Sequence, residues 1–434
     1  MNAQDSASPR VLIVAENASA RFGGESILPL HYFRKLRKRG VEVWMVVHAR
    51  TRDELTQLLG DDIGRVSFIP DTWLHRFLGK LAKPLPGAIK NFTIWQIMRL
   101  YSQVLARRIA RRIIAEKQID IVHQPTPVSP KEVSLFQKMG VPVVIGPMNG
   151  GMTFPPGFQK VQSRLARGFV RLGRSMSSIF NHLVPGKLRA ATLLVANQRT
   201  ANALPAGVCG RVVTLVENGV DLELWKARPE QNGAAENPVR FVFAGRFDTW
   251  KGVDLLLHAF KDVADTTPCT LDIIGDGKLR GRLQEQARNL EIADKVKFHG
   301  WIPQAACAAQ LQRANVFVLP SLFECGGAVV LEAMASGLPV VATNWGGPAD
   351  YIDESCGILV DPDTREGFIA GLAAAMSKLA RDSVLRRRMG MASRQRAVNE
   401  FDWERKIDRI VEIYRETVRR AGAQKTNQPV RSSS

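Results

Sequence analysis

The sequence predicts an α/β protein of two doubly wound, Rossmann-like domains. Its length of 434 residues exceeds one ordinary domain. Short β-branched runs alternate with helical stretches in both halves, the pattern of parallel βαβ units. A polar segment rich in Pro, Gly and Asn, KARPEQNGAAENP, separates the two runs of strands.

In the first half the strand candidates are Val11–Ala15, Val41–Val47, Val66–Ile69, Ile119–His123, Val141–Ile145, Leu193–Ala196 and Val212–Val216. The second half offers Val239–Ala244, Thr270–Ile274, Val296–Phe298, Val316–Leu319, Val340–Ala342 and Ile358–Val360. The domains expected are therefore 1–225 and 239–402, joined by a linker over 226–238. A helix over 403–420 follows, and the tail 421–434 has nothing to bury and is expected to be disordered.

Composition is ordinary, 45% hydrophobic and 23% charged, which excludes a disordered, collagen-like or disulfide-stapled chain. Charge is not ordinary: 60 Lys+Arg oppose 41 Asp+Glu, a formal +19. Residues 1–220 hold 31 basic and 13 acidic residues, so nearly all of the excess lies there. Such asymmetry points to an anionic membrane surface, a phosphorylated substrate or nucleic acid. Nucleic acid is set aside, because no basic stripe interleaved with aromatics occurs. Two segments carry the membrane reading. Arg164, Arg167, Arg171 and Arg174 recur at helical spacing opposite Leu165, Phe169, Leu172 and Met176. Arg107, Arg108, Arg111 and Arg112 lie in Phe92–Lys117 beside Ile94, Ile97, Met98, Tyr101 and Leu105. The alternative for both is a surface helix packing its apolar stripe on the sheet.

Five scattered cysteines without a C-x-x-C pair suggest neither a disulfide framework nor a zinc site. A reducing, cytoplasmic setting is expected, with any membrane contact peripheral, since no run reaches the ~18 apolar residues of a spanning helix.

Ligands of doubly wound sheets bind beyond the carboxyl ends of the strands. There, after NVFVLP, comes FECGGAVVLEAMASG, with Glu324 and Glu332 separated by seven residues and Gly326–Gly327 opening a helix. The mouth of that helix suits a diphosphate, and the carboxylates suit vicinal hydroxyls. In FVFAGRFDTWKGVDLLLHAF, Arg246 and Lys251 flank a glycine-bounded loop after a strand, two cations fit to hold phosphate. Asp361-Pro362-Asp363 has the spacing of a metal-binding D-x-D but falls in a proline turn and is rejected; Gly275–Gly281 is one residue too long for a dinucleotide fingerprint.

Together G-R-x4-K-G (Gly245 to Gly252), I-I-G-D-G (Ile273–Gly277), H-G-W-I-P (His299–Pro303), E-x7-E, A-S-G-L-P-V-V-A-T (Ala335–Thr343) and E-N-G-V-D (Glu217–Asp221) resemble family 4 of the retaining glycosyltransferases over about residues 215–362. The resemblance implies the two-domain GT-B fold, a central cleft between the domains, and a terminal helix crossing back to the first domain. It implies a retaining transferase (hexosyltransferase class) that takes a sugar from a nucleotide diphosphate sugar and needs no metal or other cofactor. Arg246 and Lys251 would hold the diphosphate and stabilise the leaving group, Glu332 would accept from the ribose hydroxyls, and Glu324 with Gly326 and Gly327 would fix the donor sugar. Trp301, after Gly300, would frame the base. Where the family has a bulky apolar residue and one glycine after the first glutamate, this chain has Cys325-Gly326-Gly327, which leaves the donor sugar open.

The first half matches more loosely. Gly23 and Gly24 would let backbone approach the donor phosphates, and His123, at a strand end, would stand near the reacting sugar. Many family members show two histidines one residue apart there; this chain has only His123. The loop Gly146–Gly151 is placed on the acceptor side by position. The function expected is transfer to a hydroxyl of a lipid-linked or phosphorylated glycan in envelope polysaccharide synthesis. The alternatives are a nucleotide-sugar-binding protein without transfer and an epimerase or hydrolase on the same fold.

Overall fold

The computed structural model describes residues 8–22, 24–83, 93–161, 177, 179–228 and 238–426. The chain divides into two units: Met1–Gly151 with Arg164–Glu217 and Ile407–Ser434, and Met152–Ser163 with Asn218–Lys406.

The first unit is built on a seven-stranded sheet in the order β3-β2-β1-β4-β5-β6-β7. Its strands are β1 (Val11–Val14), β2 (Val43–His48), β3 (Val66–Ile69), β4 (Ile121–Gln124), β5 (Val143–Met148), β6 (Thr192–Val195) and β7 (Arg211–Thr214). Every pairing is parallel, with Val11 facing Val43 on one side and Ile121 on the other. Every residue of the central strands β1 and β4 is buried, including His123 and Gln124, because helices cover both faces and leave no side of the pleat in water. The winding direction reverses between β1 and β4, which places a crevice beyond their carboxyl ends. β5 runs past the expected Ile145 to Met148, and its register with β6 shifts there. Gly146 takes φ +106° within that shift, and a Cβ on it would lie 2.3 Å from the Leu194 carbonyl.

The second unit carries a six-stranded parallel sheet in the order β10-β9-β8-β11-β12-β13. Its strands are β8 (Val239–Ala244), β9 (Cys269–Ile274), β10 (Val296–Gly300), β11 (Val316–Leu319), β12 (Val340–Thr343) and β13 (Gly357–Val360). Direction reverses again, between β8 and β11.

The boundaries differ from the sequence expectation in three places. Residues 152–163 belong to the second unit, not the first. The cause is packing: Phe154 stacks on Phe323 at 5.0 Å, Phe158 meets Phe368 edge-on, and Trp345 Nε1 donates to the Thr153 carbonyl at 2.8 Å. The units divide at Glu217–Asn218, ahead of the expected 225. Val220 exchanges backbone hydrogen bonds with Phe401 and Trp403, and the ring of Trp403 lies against Gly219, where a Cβ would be 2.9 Å away. The expected linker begins with Arg228 bonded to Ser336 and Ala314 of the second unit; residues 229–237 lie outside those described. The third difference is the final helix, which continues to Thr426 rather than ending near 420. From Ile407 onward it belongs to the first unit, through Arg39–Asp408, Thr192–Thr417 and Arg211–Glu416.

Candidate functional site

In the second unit, the loops beyond β8, β9, β11 and β12 are shaped by glycines that have no room for a side chain. Gly275 takes φ +134° and presses on the Gly245 carbonyl, where a Cβ would come within 1.9 Å. Gly252 takes φ +66° against the Pro320 carbonyl and starts the helix Val253–Ala264. These contacts draw the Arg246–Lys251 loop onto the loop after β11, and Leu322 N donates to Trp250 O at 2.8 Å.

The consequence is that Lys251 and Glu324, 73 residues apart, form an ion pair, both side chains largely sheltered. Arg246 stays outside that pair: its side chain is 78% exposed, 3.4 Å from Asp248. The helix Ala328–Ala335 opens on Gly327 at φ +80°, which supplies no side-chain cap. Its first turn therefore presents a positive dipole end without a carboxylate or hydroxyl of its own at the cap. Gly347 supports this turn from behind. Its N–H donates to the Glu324 carbonyl at 2.8 Å, and a Cβ there would stand 2.3 Å from Gly326 O and 2.4 Å from Cys325 O.

Glu332 lies within the same helix, among buried Val330, Leu331, Ala333 and Met334. Burial raises its carboxyl pKa to about 7, and its charge adds to the burial that raises the nearby Cys307 thiol to about 12. Glu332 is partly buried rather than a fully exposed surface charge. Trp301 is 75% exposed, beyond β10 and after Gly300 at φ +75°.

In the first unit, His123 requires correction. It is buried among side chains, with Nε2–H donating to the Gly146 carbonyl at 2.6 Å and Nδ1 accepting from the Tyr414 hydroxyl at 2.6 Å. A carbonyl only accepts, so the ring is the Nε2–H tautomer and both nitrogens are engaged. His123 joins β4, β5 and the final helix and has no nitrogen left for substrate; the position two residues on is a buried proline, Pro125. Gly24 takes φ +53°, with nothing within 4 Å of its Cβ position, so it serves conformation rather than close packing. Gly23 lies outside the described residues. The Gly146–Gly151 loop is mostly buried: Gly150 N donates to Thr200 Oγ1 at 3.1 Å and the Pro130 ring leaves no space for a Cβ.

A cavity opens instead at the reversal point between β1 and β4, lined by Glu16, Asn17, Glu25, Arg99, Gln103 and Gln124 among others. Arg99 bridges Glu16 (3.2 Å) and Glu132, while Glu25 accepts from Val128 N at 2.9 Å. Burial raises the Glu25 pKa above the ordinary carboxyl value, the Val128 bond opposing it. Asn17 Oδ1 is buried with no hydrogen-bond partner among the described residues. Sequence reasoning missed this set. Its signal was the pair Glu16-Asn17 directly after β1, but Arg99 and Gln103 arrive from a helix whose arginines drew attention elsewhere.

Comparison with known proteins places the second unit. Residues 226–396 match the profile of the family described as "Glycosyl transferases group 1". The glycogen synthase of Mycobacterium tuberculosis is 34% identical over 206 residues, 46% of this chain and 48% of that protein. The MMP alpha-(1->4)-mannosyltransferase of Mycolicibacterium hassiacum is 24% identical over 432 residues, 95% of this chain and all of that one. The chain thus spans about half the length of the first-ranking curated relatives it matches. Among solved structures, Anabaena HepE in complex with UDP superposes with a TM-score of 0.63 at 17% identity, covering 93% of this chain and 99% of that one. With the two parallel sheets, that likeness shows a two-unit, Rossmann-like GT-B fold.

Proposed function

We propose that the chain is a retaining glycosyltransferase that moves a sugar from a nucleotide diphosphate sugar to a hydroxyl of a lipid-linked or phosphorylated glycan, in envelope polysaccharide assembly. The observation that carries this reading is the Lys251–Glu324 pair beside an uncapped helix turn, within the segment that matches group 1 glycosyl transferases. The second unit would bind the donor and the first the acceptor.

The chemistry follows from these groups. Arg246 and Lys251, with the first-turn amides after Gly327, stabilise charge on the departing diphosphate. Lys251 leaves Glu324 in part to reach the phosphate, freeing that carboxylate for hydroxyls of the donor sugar. Glu332 accepts from the ribose hydroxyls, and Trp301 offers a face to the base. The bond from the anomeric carbon to the diphosphate breaks, the bond to the acceptor oxygen forms on the same face, and the acceptor proton passes to a diphosphate oxygen. Cations on the diphosphate replace a general base and a metal in this scheme, which agrees with His123 being occupied elsewhere. HepE, whose crystal structure holds UDP, supports a uridine donor as the first to try.

The acceptor reading rests on charge at two scales. The first 220 residues are strongly basic, yet the cavity of the first unit is lined by Glu16, Glu25 and Asn17 around Arg99. Hydroxyl groups suit the cavity, and the basic exterior suits an anionic membrane in which a lipid-linked acceptor sits. The helix Ile94–Lys117 is split between packing on the sheet and exposed apolar residues, so it carries only part of the membrane reading. Its Arg107 and Arg111 donate to the carbonyls of Gln137 and Lys138, Arg112 pairs with Glu116, and Ala106, Ala110 and Ile113 pack on the sheet, whereas Trp95, Ile97 and Val104 are exposed. The helix Trp73–Ala82 supports it better: Trp73, Phe77 and Leu81 are 70%, 55% and 51% exposed along one stripe, beside Arg76 and Lys80. Arg164, Arg167, Arg171 and Arg174 lie outside the described residues. Among the described residues, no helix is long and apolar enough to cross a membrane.

Thermal-shift screening against nucleotide sugars, followed by assay of nucleoside diphosphate release with and without glycan acceptors, tests the proposal. Stabilisation by a donor and acceptor-dependent release support it. Binding without turnover would leave a nucleotide-sugar-binding protein, and acceptor-independent release or sugar isomerisation would leave a hydrolase or epimerase.

A further inference from the structure

Away from the donor loops, three side chains converge at the carboxyl ends of β2 and β3. They are His48, the last residue of β2, Asp71, in the loop after β3, and His75, in the first turn of the helix Trp73–Ala82. An imidazole nitrogen from each histidine and a carboxylate oxygen of Asp71 lie within 4.8 Å of one another. Both histidines are buried and Asp71 is exposed. The rings meet edge to face at 5.0 Å.

The surroundings orient these rings. His75 Nε2 is 2.9 Å from Ser102 Oγ, while His75 Nδ1 meets the Thr72 hydroxyl at 3.1 Å and accepts from Thr72 N at 3.3 Å, capping the helix. If the ring donates its Nε2–H to Ser102, an ion on Nδ1 takes the place of the long capping contact from Thr72 N; such an outer-shell hydrogen bond is how metal-binding histidines are usually held. His48 Nδ1 accepts from Arg50 N at a long 3.3 Å, and His48 Nε2 is buried with no hydrogen-bond partner among the described residues. A buried imidazole nitrogen without a partner calls for an explanation.

We propose that His48, Asp71 and His75 form a binding site for a divalent transition-metal ion, zinc by preference. Two imidazoles and one carboxylate are a nitrogen-rich set that suits zinc, whereas magnesium and calcium take oxygen ligands. Around a tetrahedral zinc at ordinary bond lengths, ligand atoms stand about 3.4 Å apart. The cluster therefore closes by roughly an ångström, and Asp71, exposed in a loop, is the residue free to move. Ligation through His48 Nε2 shifts the ring proton to Nδ1 and gives up only the long contact with Arg50. Burial, reinforced by Arg50, lowers the His48 pKa to about 4, so this imidazole is neutral at pH 7. Arg50 opposes a cation here, and Glu16, 3.4 Å from Arg50, offsets it.

The ion would tie the end of β2 to the helix that bears Trp73, Phe77 and Leu81. Ser102, which holds His75, also lines the cavity between β1 and β4. The site is thus a clamp on the first unit, and none of the donor-loop residues contributes to it. It stands or falls independently of sugar transfer.

The test uses the tag-free full chain, stripped with chelator and titrated with ZnCl2 by calorimetry and with CoCl2 by visible absorption. One saturable zinc per chain and cobalt bands in the visible are expected, with a higher melting temperature when zinc is bound. Asp71→Asn, a surface change that leaves the fold intact, should weaken binding roughly tenfold or more. His48→Gln with His75→Gln should abolish it. No saturable zinc binding by the native chain, or binding unchanged in Asp71→Asn, overturns the proposal. Should the double variant fail to fold, Asp71→Asn alone decides.

Discussion

The ammonium of Lys251 is held by the carboxylate of Glu324, although the two lie on different βα loops and 73 residues apart. The pair joins the cation proposed to hold a diphosphate to the carboxylate proposed to hold the sugar. The pairing keeps a sheltered charge from standing alone.

Replacing Lys251 with Ala removes the cation and leaves Glu324 unpaired. Transfer should fall by roughly 10²–10³-fold, with an unchanged far-UV circular dichroism spectrum. Full activity in Lys251→Ala would sink the donor-site assignment.

Glu332 yields a pH signature. Its pKa is about 7 in the folded chain against an ordinary 4.5, because burial disfavours the charge. The stability it contributes as a neutral acid is complete below pH 4.5 and is lost as pH rises through 7, a loss on the order of 3 kcal/mol. Glu332→Gln should therefore resist urea better than the native protein at pH 8 and match it near pH 4.5. The same variant should bind donor about tenfold more weakly at pH 8, since a hydrogen bond to a charged acceptor is worth ~1.5–3 kcal/mol. Equal urea midpoints at pH 8 would contradict the assignment.

His123→Ala tests structure against catalysis. It leaves the Tyr414 hydroxyl and the Gly146 carbonyl without their partner and opens a cavity, costing about 2–4 kcal/mol. Below the melting temperature kcat should stay within about threefold of the native value, a change that corresponds to less than 1 kcal/mol. A large fall in kcat with an unchanged melting temperature would restore His123 to the site.

Gly347→Ala forces a methyl group onto the carbonyls of Cys325 and Gly326. Backbone cannot yield as a side-chain tip can, so the turn ahead of the Ala328–Ala335 helix must shift. A cost of ~1–3 kcal/mol is expected, together with weaker donor binding by calorimetry; native-like affinity would show that the turn is not part of the donor site.

Membrane contact is tested by flotation with anionic and neutral vesicles. The native chain should float with the anionic ones, and Trp73→Ser with Phe77→Ser should release it, as should reversing Arg164, Arg167, Arg171 and Arg174 to Glu. A native chain that never floats ends the membrane reading.

The thirteen strands among the described residues each overlap a stretch expected from the sequence; runs such as Val316–Leu319, buried on both faces, have few other readings, whereas β7 (RVVT) and β10 (VKFHG) are partly exposed and were legible from their place in the alternation. The residues proposed for the donor site were named for a related reason. Glycines, cations and carboxylates near strand ends are local in sequence; all but Glu332, which lies within the helix Ala328–Ala335, sit on short βα loops. His123 was misread because its partners, Gly146 and Tyr414, are 23 and 291 residues away. Nothing beside it in the chain distinguishes a histidine that faces substrate from one that faces a tyrosine hydroxyl.

Sequence alone determined the fold class, the succession of strands and the residues at their carboxyl ends, since these follow from side-chain periodicity and backbone freedom over a few positions. Tertiary structure decided the rest. It moved residues 152–163 to the second unit through Phe154 and Phe158, paired Lys251 with Glu324, desolvated Glu332, and gathered His48, Asp71 and His75 into one cluster. Each of these depends on which distant side chains share a small volume, and in a densely packed interior that is set by the whole fold.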